Sequence, residues 1–574
     1  MRRLGVVAAF LVVLGGAATA ASVSTAGPPL KRPGPDATVE ERLTFDVTFL
    51  AADDLEGREA GKRGHDFAAQ IVAQRFRELA LEPAAGDGRY LQHVPMELFR
   101  RKYRRGGIRF FIAGDEFPPG TEIVGRTRQL DVTIAHAPIV FAGWGLVSET
   151  YGRDDYAGLD VEGAIVVALH GAPRFIPSDA RAYYTAIQAR TAAERGAAAL
   201  ITVLPRHYER EVAAFPRFAR HFLESQHLAW VGPNGVPAND APGLQARAVM
   251  GEAGARRLFD KTAYSWDVIA NAADAPIGNL PAFDLGIVGS MKLGARPSRV
   301  ASYNILGAVR GTDPALAGEA VLVTAHLDHR GMRERDGAMA LNNGAVDNAS
   351  GVAVLMELAR ALKQDPPART VVFAAVTGHE AGLVGSDYIA GLGLPGGREI
   401  VANVNLDAPL ATFPFVDMVP HGAGRTSLGP VVADILARHG VAASKDRSPD
   451  HGVFARSDHF SFVRRGIPSV YITMGLGGAG AEAFEEFQSD HRHRPSDDVE
   501  LIMFDQLARY TAIHADLVRA TADSPQRPYW LQGDFFAEIT GGPSGPNPVP
   551  AVAEADAEAG TASSPPVVVG PLGP

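Results

Sequence analysis

The sequence predicts an α/β protein, a mixed and largely parallel sheet flanked by helices, with an inserted β-rich α+β accessory domain. Three observations predict it. Apolar runs of strand length alternate with helical segments from about residue 285 to 535. A second block, about residues 130 to 280, carries its own pattern of strands and helices. The chain, at 574 residues, is also too long for one typical domain.

Composition narrows the chemistry. The chain is 46% hydrophobic and 21% charged, the balance of a globular protein. It has no cysteine, which excludes a disulfide framework, a thiolate nucleophile, Cys-ligated zinc and iron–sulfur clusters. Any metal must therefore sit on His, Asp and Glu. The net charge of −10 argues against nucleic acid as the main partner.

Taken in order, the chain opens with an export signal. Arg2 and Arg3 precede the apolar run Leu4 to Leu14, and Ala18-Thr19-Ala20 has a cleavage-site pattern. The run is short of the ~20 residues a spanning helix needs. This places residues 1–20 in a cleaved signal peptide and the mature chain outside the cytoplasm, secreted or periplasmic, with no stable membrane insertion. Next, Ala68, Ile71, Val72, Phe76 and Leu79 give a helix over His65 to Ala80. The charged loop before it, Asp53 to Arg58, reads as solvated capping groups. Residues 21–130 form the N-terminal part of the main domain and 131–280 the accessory domain. The latter contains strands at Ile139 to Gly145 and Ala164 to Leu169 and a helix at Ala182 to Arg195. The basic run Arg100 to Arg105 reads as a solvated strand edge. Residues 281–535 carry the chemistry, and 541–574, with eight prolines, six glycines and no Lys or Arg, read as a disordered tail.

Within 281–535, acids and imidazoles fall where apolar strands end. Ala320 to Ala325 runs into His326-Leu327-Asp328-His329, Val371 to Val376 into Gly378-His379-Glu380, and Val401 to Leu406 into Asp407. In open α/β sheets ligands bind beyond the carboxyl ends of strands, so three strands deliver metal-type side chains to one rim. Asn343 to Gly351 places Asp347 at the start of a helix over Val352 to Leu362, and His491-Arg492-His493-Arg494-Pro495 adds imidazole before a rigid turn. Residues i and i+2 of an extended segment share a side, so the Asp328 carboxylate can accept the second ring N–H of His326. No G-x-S-x-G elbow follows a strand, which argues against a serine hydrolase.

Five motifs together resemble the zinc-dependent M28 peptidases, a di-zinc aminopeptidase family. They are His326-Leu327-Asp328, Asp347 to Gly351, Glu380 to Ser386, Asn405-Leu406-Asp407 and His493 to Asp497; Ser457-Asp458-His459 and Gly466-Ile467-Pro468 match a later segment. Gly143-Trp144-Gly145, Asp154-Asp155-Tyr156 and Asp160 to Gly163 resemble the protease-associated (PA) domain inserted in many such enzymes. Leu55 to Arg58 resembles their N-terminal segment.

The resemblance implies a zinc-exopeptidase fold, peptide substrates and two Zn²⁺ per chain. His326 and Asp407 would bind one ion, Glu380 and His493 the other, and Asp347 would bridge both. His491 is the alternative to His493. Asp328 would orient His326. Three carboxylates would offset most of the four positive charges of two zinc ions. One departure matters: relatives carry Glu-Glu where this chain has His379-Glu380, so a histidine takes the general-base position. This leaves three roles for His379: base, extra ligand, or mark of an impaired enzyme. The expected function is an exported metallo-aminopeptidase. The alternatives are a catalytically impaired peptide- or partner-binding protein, a carboxypeptidase and a glutaminyl-cyclase-like enzyme.

Overall fold

A computed structural model describes residues 32–547 apart from 104–107, 113, 212–213, 336 and 448–451. The chain divides into two compact units. One comprises residues up to Val94, Ala301–Arg447 and Ser457–Gly560; the other is Pro95–Val300 with Ser448–Arg456. The signal segment 1–20 lies outside the described residues.

In the first unit, helices α1 (Val39–Leu50) and α2 (Arg63–Glu78) come first. A Thr38/Glu41 capping box starts α1, satisfying two otherwise orphaned N–H donors. Then follow β1 (Ala295–Val309, within this unit from Ala301), β2 (Glu319–His326), α3 (Ser350–Gln364) and β3 (Thr370–Val376). The rest are α4 (Val384–Leu392), β4 (Glu399–Leu406), β5 (Asp417–His421), β6 (Ser469–Met474) and α5 (Phe504–Asp523).

The strands run β1-β3-β2-β4-β6-β5 across the sheet. The central pairs, β3/β2, β2/β4 and β4/β6, are parallel; β1/β3 and β6/β5 are antiparallel. Both faces are covered. Val321, Val323 and Phe373 pack with Val47, Phe76, Val354 and Leu517, whereas Leu322, Val372 and Val376 pack with Ile389 and Phe462. Two-sided burial explains why these strands read as unbroken apolar runs, since each buried Val, Leu or Phe contributes ~1.5–3 kcal/mol on either face.

The second unit is wider than the 131–280 segment read from the sequence. Its eight-stranded mixed sheet includes Ile108–Ile112, which pairs antiparallel with Ala282–Leu293. Val132–Ala142, Ile165–Leu169, Ala199–Val203 and Ala246–Met250 form its parallel part. The helix Ser178–Glu194 sends Ala189 and Ala192 into a core with Val140, Val166 and Leu200.

The region expected as a disordered tail from Gly541 starts inside the fold. Ser544–Gly545 pairs in parallel with Trp530–Leu531, and the backbone N–H of the buried Trp530 donates to Pro543 O. Residues from 548 on lie outside the described set. Among the described residues no helix is long and apolar enough to cross a membrane.

Candidate metal centre

Strand register assembles the site. His326 pairs with Val376 and Ala325 with Leu406, so His326, the loop after β3 and Asp407 emerge together at the carboxyl edge of three adjacent parallel strands. After β2 the chain makes a hairpin, Gly331–Arg335 with Ala338–Asn342, and reaches Asp347 just ahead of α3. His379 and Glu380 lie in a single helical turn, His379–Ala381. His493 arrives from the segment before α5 with a left-handed backbone, φ 57°. Non-glycine residues in that region concentrate at functional sites.

All five expected ligands converge. His326 Nε2 lies 3.1 Å from Asp407 Oδ1 and 3.3 Å from Asp347 Oδ1. His493 Nε2 lies 3.2 Å from Asp347 Oδ2 and 3.2 Å from Glu380 Oε1. The two oxygens of Asp347 thus face two different imidazoles. His491 goes elsewhere: its Nδ1 faces Ser496 O at 3.1 Å and its Nε2 faces Glu486 at 3.7 Å.

The donor spacing tests whether a metal fits. Bonds of ~2.0–2.1 Å in a tetrahedron put neighbouring donors about 3.3–3.4 Å apart. The four separations of 3.1–3.3 Å match that edge. Glu380 Oε1 is also buried without a hydrogen-bond partner, as a ligand atom would be when its cation is left out. The donors are all nitrogen and oxygen, a set that suits zinc.

Electrostatics agree with a charged cluster. Burial works against ionisation of Asp347, but His326 and His493 hold it well below the usual carboxylate range. Burial likewise opposes ionisation of Glu380, and His493 and His329 keep it low. His326 is depressed by burial yet raised well above its usual value by Asp407 and Asp347.

The surrounding residues fix these ligands. Both carboxylate oxygens of Asp497 accept backbone N–H bonds, from Val346 at 2.8 Å and Asp347 at 3.1 Å. Burial and the neighbouring Asp347 push Asp497 up to about 7. Ser457 Oγ donates to Asp407 Oδ2, and Tyr471 OH donates to the Asp407 carbonyl at 3.0 Å.

Asp328 acts differently from the expectation. It is the Asp328 backbone carbonyl that accepts from His326 Nδ1, at 3.0 Å. The carboxylate accepts instead from the backbone N–H groups of His379 (3.0 Å) and Glu380 (3.2 Å). Strand β2 stops at His326, so the two-residue alternation does not reach Asp328. Asp328 therefore holds the turn that presents Glu380, and burial raises it to about 6.

His379 stacks on His326, ring centroids 3.8 Å apart and planes 10° apart. Its Nδ1 donates to Asp458 Oδ2 at 3.0 Å, and Ser386 Oγ donates to the other Asp458 oxygen at 2.5 Å. Nε2 points towards Asp407, 3.9 Å from Oδ2. Burial and His326 oppose protonation of His379, but Asp458 and Asp407 prevail and its value is pushed up to about 9.

Two residues of the site escaped the sequence reading. His329 is buried with Nδ1 3.2 Å from Glu380 Oε1, and burial pushes it down to about 4. A lone histidine three residues after an expected ligand gave no signal of its own. Arg58, expected to be solvated, is fully buried. Its guanidinium donates to the carbonyls of Leu327 (2.9 Å), Asn343 (2.8 Å), Gly344 (2.9 Å) and Leu50. Glu56, Gly57 and Arg58 are three successive left-handed residues, and a Cβ on Gly57 would lie 2.2 Å from Asn342 O. Within this loop, whose Glu56 stays exposed, Arg58 is therefore a buried clamp on the segments carrying His326, Asp328 and Asp347.

The chain is similar to several known proteins. A probable zinc metalloprotease of Leptosphaeria maculans is 28% identical over 266 residues, 40% of this chain and 60% of its own. Leucine aminopeptidase 1 of Trichophyton equinum is 27% identical over 246 residues, 40% of this chain and 61% of its own. The chain thus spans about 60% of the length of these curated relatives. Among solved structures, the aminopeptidase from Aneurinibacillus sp. strain AM-1 aligns with a TM-score of 0.48 at 19% identity, covering 85% of this chain and 95% of that one. The five converging ligands all fall within residues 304–518, the segment that matches the model of Peptidase family M28.

Proposed function

We propose that this chain is an exported di-zinc metallo-aminopeptidase that releases N-terminal residues from peptides. The observation that carries the reading is the split of Asp347 between two imidazoles, Oδ1 facing His326 and Oδ2 facing His493. His326 and Asp407 would hold one ion and Glu380 and His493 the other, with Asp347 available to both. Such an ion pair, when bound, supplies an electrophile for the scissile carbonyl and lowers the pKa of a water towards ~7.

The residues around the ions then divide the work. Asp328 fixes the turn that carries Glu380, through the backbone N–H bonds of His379 and Glu380. His379 stands in the general-base position. Its Nδ1–H donates to Asp458, which directs Nε2 towards the centre. Nε2 would then be the ring atom placed to accept a proton from the attacking water and return it to the leaving amine. The PA-like resemblance in the second unit supports an accessory role for that unit, and the N-terminal motif supports export to the periplasm or medium.

The test is a panel of aminoacyl p-nitroanilides and N-acetylated counterparts, with the zinc-loaded chain and its His379→Glu variant. The expected result is release from free amino termini only, lost on chelation and restored by zinc. The histidine in place of a carboxylate favours one second reading, a binding protein with an impaired centre. That reading holds if the loaded chain cleaves nothing while His379→Glu does.

A further inference from the structure

We infer that His329 is a third imidazole ligand of the centre, joining Glu380, His493 and Asp347 around the second metal position. The inference rests on the two-metal reading of this cluster and adds a residue that the family resemblance does not assign.

The first support is an unusual pair of orphaned atoms. His329 is 1% exposed, and neither of its ring nitrogens makes a hydrogen bond among the described residues. Glu380 Oε1 is buried and equally without one. These groups are nevertheless close: Nδ1 of His329 is 3.2 Å from Glu380 Oε1. Two polar atoms at that distance would ordinarily align as donor and acceptor, since a buried group left without a bond costs ~1–3 kcal/mol. Failure to align at contact distance is what two ligands aimed at a common cation look like.

The second support is geometry. Glu380 Oε1 lies 3.2 Å from His329 Nδ1 and 3.2 Å from His493 Nε2, and the latter lies 3.2 Å from Asp347 Oδ2. Each of these is close to a tetrahedral edge of about 3.3–3.4 Å. Donor atoms of His329, Asp347 and Glu380 all fall within 4.8 Å of one another. The same limit also groups His326, His379 and Asp407, but His379 is less suited: its Nε2 stands 3.9 Å from Asp407, and its other nitrogen is already satisfied by Asp458.

The third support is how the chain makes room for the ring. Gly344 is left-handed at φ 61°, and a Cβ there would sit 2.5 Å from His329 Cγ and 2.3 Å from Asp347 O. The His329 N–H donates to Arg58 O at 3.3 Å, anchoring the residue to the buried clamp. The two positions therefore differ. One has a single imidazole, the other two, and imidazole-rich sites favour zinc, copper and nickel over manganese. The second position should fill first.

The experiment uses the full-length chain stripped and reloaded with zinc. X-ray absorption counts imidazoles per ion, and competition with a chromophoric chelator gives the affinities of wild type and His329→Gln. Expected are two imidazoles per ion at one equivalent of zinc, and a loss of at least about a hundredfold at the tighter position in His329→Gln. Loss of a mere outer-sphere partner gives about 10–100-fold with no change in imidazole count. One imidazole per ion at every loading overturns the inference and leaves the two-metal reading intact; failure of the wild type to bind two ions overturns both. If His329→Gln does not fold, the wild-type count decides alone. Three imidazoles over two ions without peptidase activity would remove only the assigned function.

Discussion

Replacing Arg58 by methionine keeps the shape of the side-chain stem and removes the buried guanidinium. Four carbonyls lose a charged donor: Leu50, Leu327, Asn343 and Gly344. Each orphaned acceptor would cost ~1–3 kcal/mol if nothing relaxed. Recovery of the guanidinium's own desolvation offsets part of this, and breaking a buried charged arrangement costs about 3–5 kcal/mol in all. Against a whole-domain stability of ~5–15 kcal/mol, that is a large fraction. Arg58→Lys keeps the charge but not the planar fork, so about half the loss is expected. Urea unfolding measures the total, and hydrogen exchange over residues 319–348 locates it, because Leu327, Asn343 and Gly344 flank His326, Asp328 and Asp347. Zinc affinity should fall at least about tenfold before global unfolding sets in. A methionine variant within 1 kcal/mol of wild type, with unchanged exchange there, would refute the clamp.

Three further outcomes are expected. Asp458→Asn should lower kcat by roughly 10²–10⁴-fold while the zinc content, read by metal analysis, stays the same, because it disturbs the tautomer of His379 and no ligand. Gly344→Ala should destabilise by about 2 kcal/mol or more in urea unfolding, since its Cβ would meet Asp347 O at 2.3 Å in a left-handed backbone. Buried His514 and His65 are pushed down to about 4 and about 3, chiefly by burial, from an ordinary 6.5. Between those values and 6.5 the unfolded chain binds more protons, so stability is complete above about 6.5 and is lost as pH falls. The His514 share is on the order of 2 kcal/mol by pH 4.5, and His514→Gln should flatten the pH dependence of the urea midpoint.

The parts legible in the sequence were those whose signal is local. β2, β3 and β4 are continuous apolar runs because both faces of the sheet are covered, and their ends carry the expected ligands for the same reason that any α/β sheet presents its edge. α2 follows its apolar spacing to within two residues at either end. What was not legible depends on distant contacts. Arg58 looks like any charged loop residue until Leu327, Asn343 and Gly344 surround it. His329 has no pattern of its own and gains meaning only beside Glu380. The Asp328 carboxylate does not face His326, because the strand alternation ends at His326, two residues short of it.

The division of the chain also sets an order of events during synthesis. Arg58 finds its last acceptor at Gly344, 286 residues further on, and the whole Pro95–Val300 unit is made in between. At ~5–20 residues per second, α1, α2 and the left-handed turn wait roughly 15–60 s for the strands that bury them. The intervening unit has its own core and can complete itself during that time. A nascent chain cut short anywhere before residue 344 would then pair a finished inner unit with an N-terminal segment whose charge and apolar faces have no home. The metal rim also needs His493, so it cannot be completed before that residue is made.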